Sequence, residues 1–316
     1  MVAAAAGPMP FAAPVTAGAA TTSSLAGAGE VTVALVLVLL VIFACAWCVK
    51  RLRGLARPQG RVLAIVDDMS VGEKERVLLL ACGGVAFVAG LAEDLTKRVS
   101  PGRRLLATAV SAALAAWVLG SLITRTDIPG LDWVVSFGAG ALLLTVFAVA
   151  GIANSVNIID GFNGLASMCV VIMLAALAYV GFQVGDEVVG ALALAGIGAV
   201  LGFFVWNFPR GAIFLGDGGA YFLGFYVAEV ALLLLARNAR VSPLFPLLVV
   251  FYPVFETLFS IYRRRFLRAV PPSMPDGIHL HSLIYRRVVR WAEGDASAQA
   301  LARRNSMTSP FLWTLC

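Results

Sequence analysis

Apolar runs of roughly 16–21 residues, the length that spans a bilayer as a helix, recur along nearly the whole chain. They are broken by short polar or glycine-rich stretches. The pattern predicts membrane-spanning helices at about 31–49, 77–92, 104–123, 132–152, 166–184, 188–206, 219–236 and 243–262. Helices are the economical solution, because lipid offers backbone N–H and C=O groups no partner. The expected fold is therefore all-α: a polytopic transmembrane helix bundle of about eight or nine spans.

The connections alternate in character. "RTDIPG", "VGDE" and "RNARVSP" are short, whereas "EDLTKRVSPGRR", "NSVNIIDGFNGLA", "NFPRGAIFLGDGG" and the arginine-rich segment 263–304 are long and polar. From residue 93 onward each pair of spans returns the chain to the side it left, so the four polar loops share one face. Arg263, Arg264, Arg265, Arg268, Arg286, Arg287, Arg290, Arg303 and Arg304 assign that face to the cytoplasm. Four polar loops converging on one membrane face predict a cytoplasmic-face active site. Parity fails earlier: segment 50–76 is also basic, yet only span 77–92 separates it from the basic loop that follows. A missing span, or re-entry of 60–76, would reconcile the two. The closing "SMTSPFLWTLC" reads as the start of a further outward span.

Composition agrees. Apolar residues make up 60% and charged residues 13% of the chain, and mean hydropathy is +0.90, values that exclude an ordinary soluble domain. The net charge of +6 sits in loops beside spans, where it sets orientation and attracts anionic lipid or substrate, and it does not signal nucleic acid. Cys45 and Cys48 form a C-x-x-C at a helix end without a second ligand pair, which reads as helix packing. Residues 1–29, rich in Ala, Gly, Ser, Thr and Pro, are expected to be a disordered tail ahead of one membrane domain, 30–316.

Four segments carry candidate chemistry. In "GIANSVNIIDGFNGLA" (151–166), Asn154, Asn157 and Asp160 fall within about 120° of one helical face, so they can address one ligand. Gly161 and Gly164 then end the helix and admit a ligand to the backbone. In "NFPRGAIFLGDGGAYFLGF" (207–225), glycines flank Asp217 at the start of a span. Exposed N–H groups there suit an anion, and the carboxylate suits Mg²⁺ holding a diphosphate. In "GLAEDLTKRVSPGRRLL" (90–106), Glu93 and Asp94 are adjacent acids followed by Lys97, Arg98, Arg103 and Arg104, suiting a general base or a metal-bound pair. "PDGIHLHSLIYRR" (275–287) holds the chain's two histidines, His279 and His281, beside Asp276, Arg286 and Arg287, and reads as a phosphate-positioning loop. Each has a plainer alternative: a helix cap, an interfacial charge cluster or a solvated loop. Asp67 and Asp68 in "VDDMS" are read as such a solvated face.

In this order the four segments resemble the polyprenyl-phosphate N-acetylhexosamine-1-phosphate transferases, over roughly 77–310. That superfamily initiates lipopolysaccharide O-antigen, teichoic acid and peptidoglycan lipid intermediates. The resemblance implies about ten or eleven spans in a bacterial inner membrane. It further implies transfer of N-acetylhexosamine 1-phosphate from a UDP-sugar such as UDP-GlcNAc to undecaprenyl phosphate, with release of UMP. Mg²⁺, or Mn²⁺ in its place, is the implied cofactor. A homodimer is a further expectation.

Carried onto this sequence, the family's paired acids fall on Glu93 and Asp94, its asparagine–aspartate segment on Asn154, Asn157 and Asp160, its metal aspartate on Asp217 and its histidine loop on His279 and His281. The implied catalytic set is Glu93, Asp94 and Asp160, with Asp217 and Asp94 on the metal. Asn154, Asn157, Asn163, Asn207, Arg210, His279, His281, Lys97 and Arg104 would bind substrate. Asp94, with Glu93, would position or deprotonate the lipid phosphate; a carboxylate nucleophile forming a covalent intermediate is the family alternative. Three substitutions depart from the pattern: Glu93 for the first aspartate, Asn163 for a second aspartate and Ser282 for a third histidine. The basic P-R-x-G-G segment has no counterpart, and "ARPQGRVLAIVDDMS" lies in its place. Two rival expectations remain: a catalytically impaired relative kept for assembly, and a secondary transporter, against which the placement of the acids at one face argues.

Overall fold

The computed structural model describes residues 66–267, 279–286 and 298–316. The expectations for the tail 1–29, span 31–49 and the basic segment up to residue 65 lie outside the described residues. The fold among them is a helix bundle without strands: α1 Val66–Thr96, α2 Pro101–Leu119, α3 Leu131–Val135, α4 Gly138–Ile159, α5 Leu165–Gln183, α6 Glu187–Asn207, α7 Gly216–Arg237, α8 Leu244–Val249, α9 Phe251–Tyr262, α10 Leu280–Ile284 and α11 Ala298–Trp313. A π-helical turn, Arg263–Leu267, extends α9. Six helices are long and apolar enough to cross a membrane: Val77–Thr96 within α1, then α2, α4, α5, α6 and α7.

Those six coincide with expected spans. Two boundaries differ. The span expected at 132–152 is a short α3, then a turn, then α4, which runs on to Ile159 and so carries Asn154 and Asn157 on the helix itself. The stretch expected as one span at 243–262 is two helices meeting at Val250. Pro246 and Pro253 flank that junction; each lacks a backbone donor and crowds the preceding turn, so a straight helix is unfavourable there.

The central element is α7, which packs on α1, α4, α5 and α6 and buries every residue from Gly224 to Leu234. Without a hydrophobic drive between spans, close backbone approach has to supply much of the packing energy. Glycine allows it here. A Cβ on Gly90 of α1 would sit 2.5 Å from Gly218 Cα, and one on Gly224 would sit 2.6 Å from Ala153 Cα of α4. Outward, Trp117, Leu143, Phe147 and Val205 stand exposed around the bundle, as a lipid-facing surface requires.

The two ends of the bundle differ. At one, the N-cap Asp186 accepts from Val189 N–H (3.2 Å), Arg237 Nε (2.8 Å) and Asn238 Nδ2 (2.8 Å). Burial pushes the Asp186 carboxyl up, but these donors outweigh it and hold it below its ordinary value. Arg125 donates to the carbonyls of Asn238 and Val241 at the same end. The other end of α7, about 30 Å away by helix rise, begins at Gly216 and Asp217.

Candidate functional site

At that end, α1 and α4 finish where α2 and α7 begin. Lys97, in the left-handed region at φ 54, closes α1 with its N–H on Glu93 O at 2.7 Å. Pro101 then opens α2 at a position where a missing N–H costs nothing. This tight connection separates the adjacent acids. Glu93 turns back to accept from Val99 N–H at 2.7 Å and shapes the loop. Asp94 reaches across to the first turn of α7, accepting from Asp217 N–H and Gly218 N–H, both at 3.1 Å. A carboxylate on the orphan N–H groups of a helix start is favoured by hydrogen bonding and by the helix dipole. Gly216, at φ 68, brings the backbone close enough that a Cβ there would lie 2.6 Å from Asp94 Oδ2.

Asp217 is held on both oxygens. Asn157 Nδ2 donates to Oδ1 at 3.0 Å, and the Arg104 guanidinium pairs with Oδ2. Lys97 Nζ lies 3.8 Å from Asp94 Oδ1 with its side chain mostly in the open. Asp160 follows the last residue of α4, where burial first, then the charges of Asp217 and Asp94, push its carboxyl up to about 7. Three carboxylates from distant parts of the sequence therefore share one electrostatic neighbourhood.

The other expected residues divide into two groups. Asn154 turns its amide to Ala150 O (2.7 Å) and Thr108 Oγ1 (3.4 Å), joining α4 to α2. Asn163 and Asn207 are buried and serve the backbone. Asn207 accepts from Gly164 N–H at 2.6 Å and donates to Ile213 O at 2.7 Å. Asn163 Nδ2 donates to Pro209 O at 3.2 Å, while its N–H donates to Asn305 Oδ1 and its carbonyl accepts from Ser309 Oγ of α11. Trp313 Nε1 adds a bond to Gly164 O at 3.1 Å. The segment read as the start of a further span is helical to Trp313, within α11, and α11 bonds the main chain of Asn163 and Gly164. Arg210 is exposed on the loop before α7.

The histidines reach the site from the other side. His281, buried, meets Phe162 in a T-shaped contact with ring centroids 5.3 Å apart, and a Cβ on Gly161 would come within 2.9 Å of its Nε2. His279 stacks on it at 5.1 Å. Two buried carboxylates escaped the sequence reading. Glu256 of α9 accepts from Leu280 N–H at 2.7 Å and lies 3.2 Å from His279 Nδ1. Glu229, deep in α7, takes Ser121 Oγ at 2.8 Å, about 18 Å along the helix from Asp217.

Residues 76–235, which contain the three aspartates and stop short of the histidines, match the family model of glycosyl transferase family 4. The chain belongs to that family. Among family 4 relatives, a probable undecaprenyl-phosphate N-acetylglucosaminyl 1-phosphate transferase of Bacillus subtilis (strain 168) is 30% identical over 232 residues, 73% of this chain and 64% of that protein. A phospho-N-acetylmuramoyl-pentapeptide-transferase of Clostridium botulinum (strain Eklund 17B / Type B) is 36% identical over 186 residues, 56% of each chain. The family 4 chain described here therefore spans 64% and 56% of the length of these two relatives.

Proposed function

We propose that this chain transfers an N-acetylhexosamine 1-phosphate from a UDP-sugar to undecaprenyl phosphate, releasing UMP, at the cytoplasmic face of a bacterial inner membrane. The observation that carries this reading is the acid cluster at the start of α7: Asp94 on the N–H groups of Asp217 and Gly218, Asp217 gripped by Asn157 and Arg104, and Asp160 beside them. The family membership and the names of the two relatives support it.

Mg²⁺ is usually held by one or two carboxylates, with water and substrate phosphates filling its octahedron. No group of three His, Cys, Asp or Glu residues that could hold an ion occurs among the described residues. Burial first, then the charges of Asp217 and Asp94, lift the Asp160 carboxyl, and a cation beside it would offset both. This donor set fits an ion completed by phosphate oxygens, with Asp217 and Asp94 as its protein ligands. Bound there, Mg²⁺ supplies neutralisation of the diphosphate as charge builds on the leaving UMP. The chain's own residues do the rest. Arg104 and Lys97 hold phosphate oxygens, Asn157 keeps Asp217 in register, and Asp94 orients the lipid phosphate toward the β-phosphorus. The prenyl tail lies among the apolar outer faces of the bundle.

Washed membranes carrying the chain are incubated with radiolabelled UDP-N-acetylhexosamines, undecaprenyl phosphate and Mg²⁺. A butanol-extractable product that UMP reverses is expected, lost with EDTA and restored by Mg²⁺. Asp217→Asn should lower its rate by about 10²–10³, the scale of losing one transition-state electrostatic contact. Wild-type rates from Asp217→Asn, or no lipid-linked sugar from any of these donors, would refute the assignment.

A further inference from the structure

Glu256 sits in the middle of α9 and is only 2% exposed. A carboxylate buried that far has to be hydrogen-bonded to be tolerated, and its Oε1 meets two groups at the start of α10. One is Leu280 N–H, at 2.7 Å; the other is His279 Nδ1, at 3.2 Å. An ionised carboxylate only accepts, so Nδ1 carries the proton and Nε2 is the ring nitrogen left for another partner. The His279 ring lies nearly parallel to His281, with centroids 5.1 Å apart and planes at 16°. His281 in turn abuts Phe162 and Gly161, next to Asp160. Glu256, the two rings, Phe162 and Gly161 therefore follow one another in contact up to the residue beside Asp160.

We propose that Glu256 is the positioning residue of the histidine pair: its buried carboxylate fixes the proton on His279 Nδ1 and so leaves Nε2 as an acceptor for a hydroxyl or amide N–H of the sugar nucleotide. The proposal rests on the transferase reading for the identity of that donor. Its geometric half does not. A ring held by Glu256 at Nδ1 donates from that nitrogen and accepts at Nε2, so its free edge suits a donor. The opposite tautomer would turn a lone pair on Nδ1 toward the carboxylate and lose that bond. Glu256 thereby selects one of two ring states, which a merely apolar contact at this position would not do.

The test uses the full chain in lipid nanodiscs with ¹⁵N-labelled histidine. The chain has two histidines, so each ring is assigned by the spectrum of the other's glutamine variant. Long-range ¹H–¹⁵N correlations should show His279 in the Nδ1–H form, and Glu256→Ala should move it to the Nε2–H form. With UDP-N-acetylglucosamine as the probe, Glu256→Ala should raise KM about tenfold, the lower end of what losing a histidine's carboxylate partner costs at metal sites, with kcat changed less. Glu256→Gln, whose amide oxygen still accepts, should retain both the Nδ1–H form and the KM. In a His279→Gln background Glu256→Ala should add nothing to KM. A ring that stays Nδ1–H in Glu256→Ala overturns the proposal, as do KM losses that add in the double variant. Should the alanine variant not fold, the glutamine variant decides: ring form and KM moving together, or both held, supports the proposal, and a changed ring form with unchanged KM overturns it. A wild-type chain that turns over no UDP-sugar sinks the transferase reading alone, since the ring spectra judge the positioning without turnover.

Discussion

The most exposed consequence of the acid cluster is a stability that depends on pH through one residue. Asp160 has its carboxyl raised from 3.8 to about 7, by burial first and then by Asp217 and Asp94. A pKa raised on folding means that the folded protein holds the proton more tightly than the unfolded chain. The stabilisation this confers is complete below pH 4 and is lost as pH climbs through about 7. Over that interval the difference amounts to about 4 kcal/mol. Asp160→Asn removes the charge while keeping the shape. In EDTA at pH 8 it should therefore make the chain more stable, by at most about 4 kcal/mol, with the advantage shrinking as pH falls toward 5. Thermal unfolding in detergent, followed by tryptophan fluorescence at pH 5, 6.5 and 8, reads it directly. Mg²⁺ should raise the wild-type midpoint more at pH 8 than at pH 5, and the variant, which keeps Asp217 and Asp94 but has no Asp160 charge to offset, should gain less and with little dependence on pH. If Asp160→Asn proves no more stable than wild type at pH 8 in EDTA, the three carboxylates do not share a neighbourhood and the site as built here is wrong.

Two further changes test the scaffold. Gly90→Ala places a methyl 2.5 Å from Gly218 backbone, so it should force α1 and α7 apart. We expect a loss of about 1–3 kcal/mol together with a large fall in transferase rate, because the Asp94 bonds to Asp217 and Gly218 cross the same contact; a thermal midpoint and rate both at wild-type values would refute this. Asp186→Ala removes an N-cap and a buried partner of Arg237 and Asn238 at the far end. It should cost about 1–3 kcal/mol with KM unchanged. Because the Asp186 carboxyl is held below its ordinary value, its contribution is present above about pH 4 and vanishes on acidification, so unfolding curves of variant and wild type should converge at low pH.

How much of this was legible in the chain depended on whether the signal was periodic. Runs of twenty apolar residues have one economical structure in lipid, so six helices follow from the pattern. Asn157 and Asp160, three apart, share a face for the same geometric reason, and glycines around Asp217 announce a helix start. Solitary groups were opaque. Glu229 and Glu256 each stand alone in an apolar run, and nothing local says that Ser121 or His279, far away in sequence, will answer them. Asparagines were ambiguous in another way. An amide can serve a ligand or a carbonyl equally well, and Asn163 and Asn207 turned to the backbone of neighbouring loops. Two features were readable and passed over. Neighbouring side chains on a helix point about 100° apart, so Glu93 and Asp94 had to part company, and the prolines at 246 and 253 marked the break at Val250.

The position of the cluster follows from its electrostatics. Three carboxylates drawn together in a half-buried place repel one another, and the fold meets that repulsion with what a helix start provides. Two N–H groups of α7 answer Asp94, Asn157 and Arg104 answer Asp217, and Lys97 lies within reach of Asp94. Among the described residues Asp160 receives no comparable donor, and burial together with its two acidic neighbours leaves a carboxyl that resists ionising near neutral pH. A purely structural cluster would gain stability by replacing Asp160 with a neutral residue. An aspartate kept at that stability cost is most simply understood as serving a positively charged visitor, and the transferase reading supplies one in the divalent cation that arrives with a sugar nucleotide.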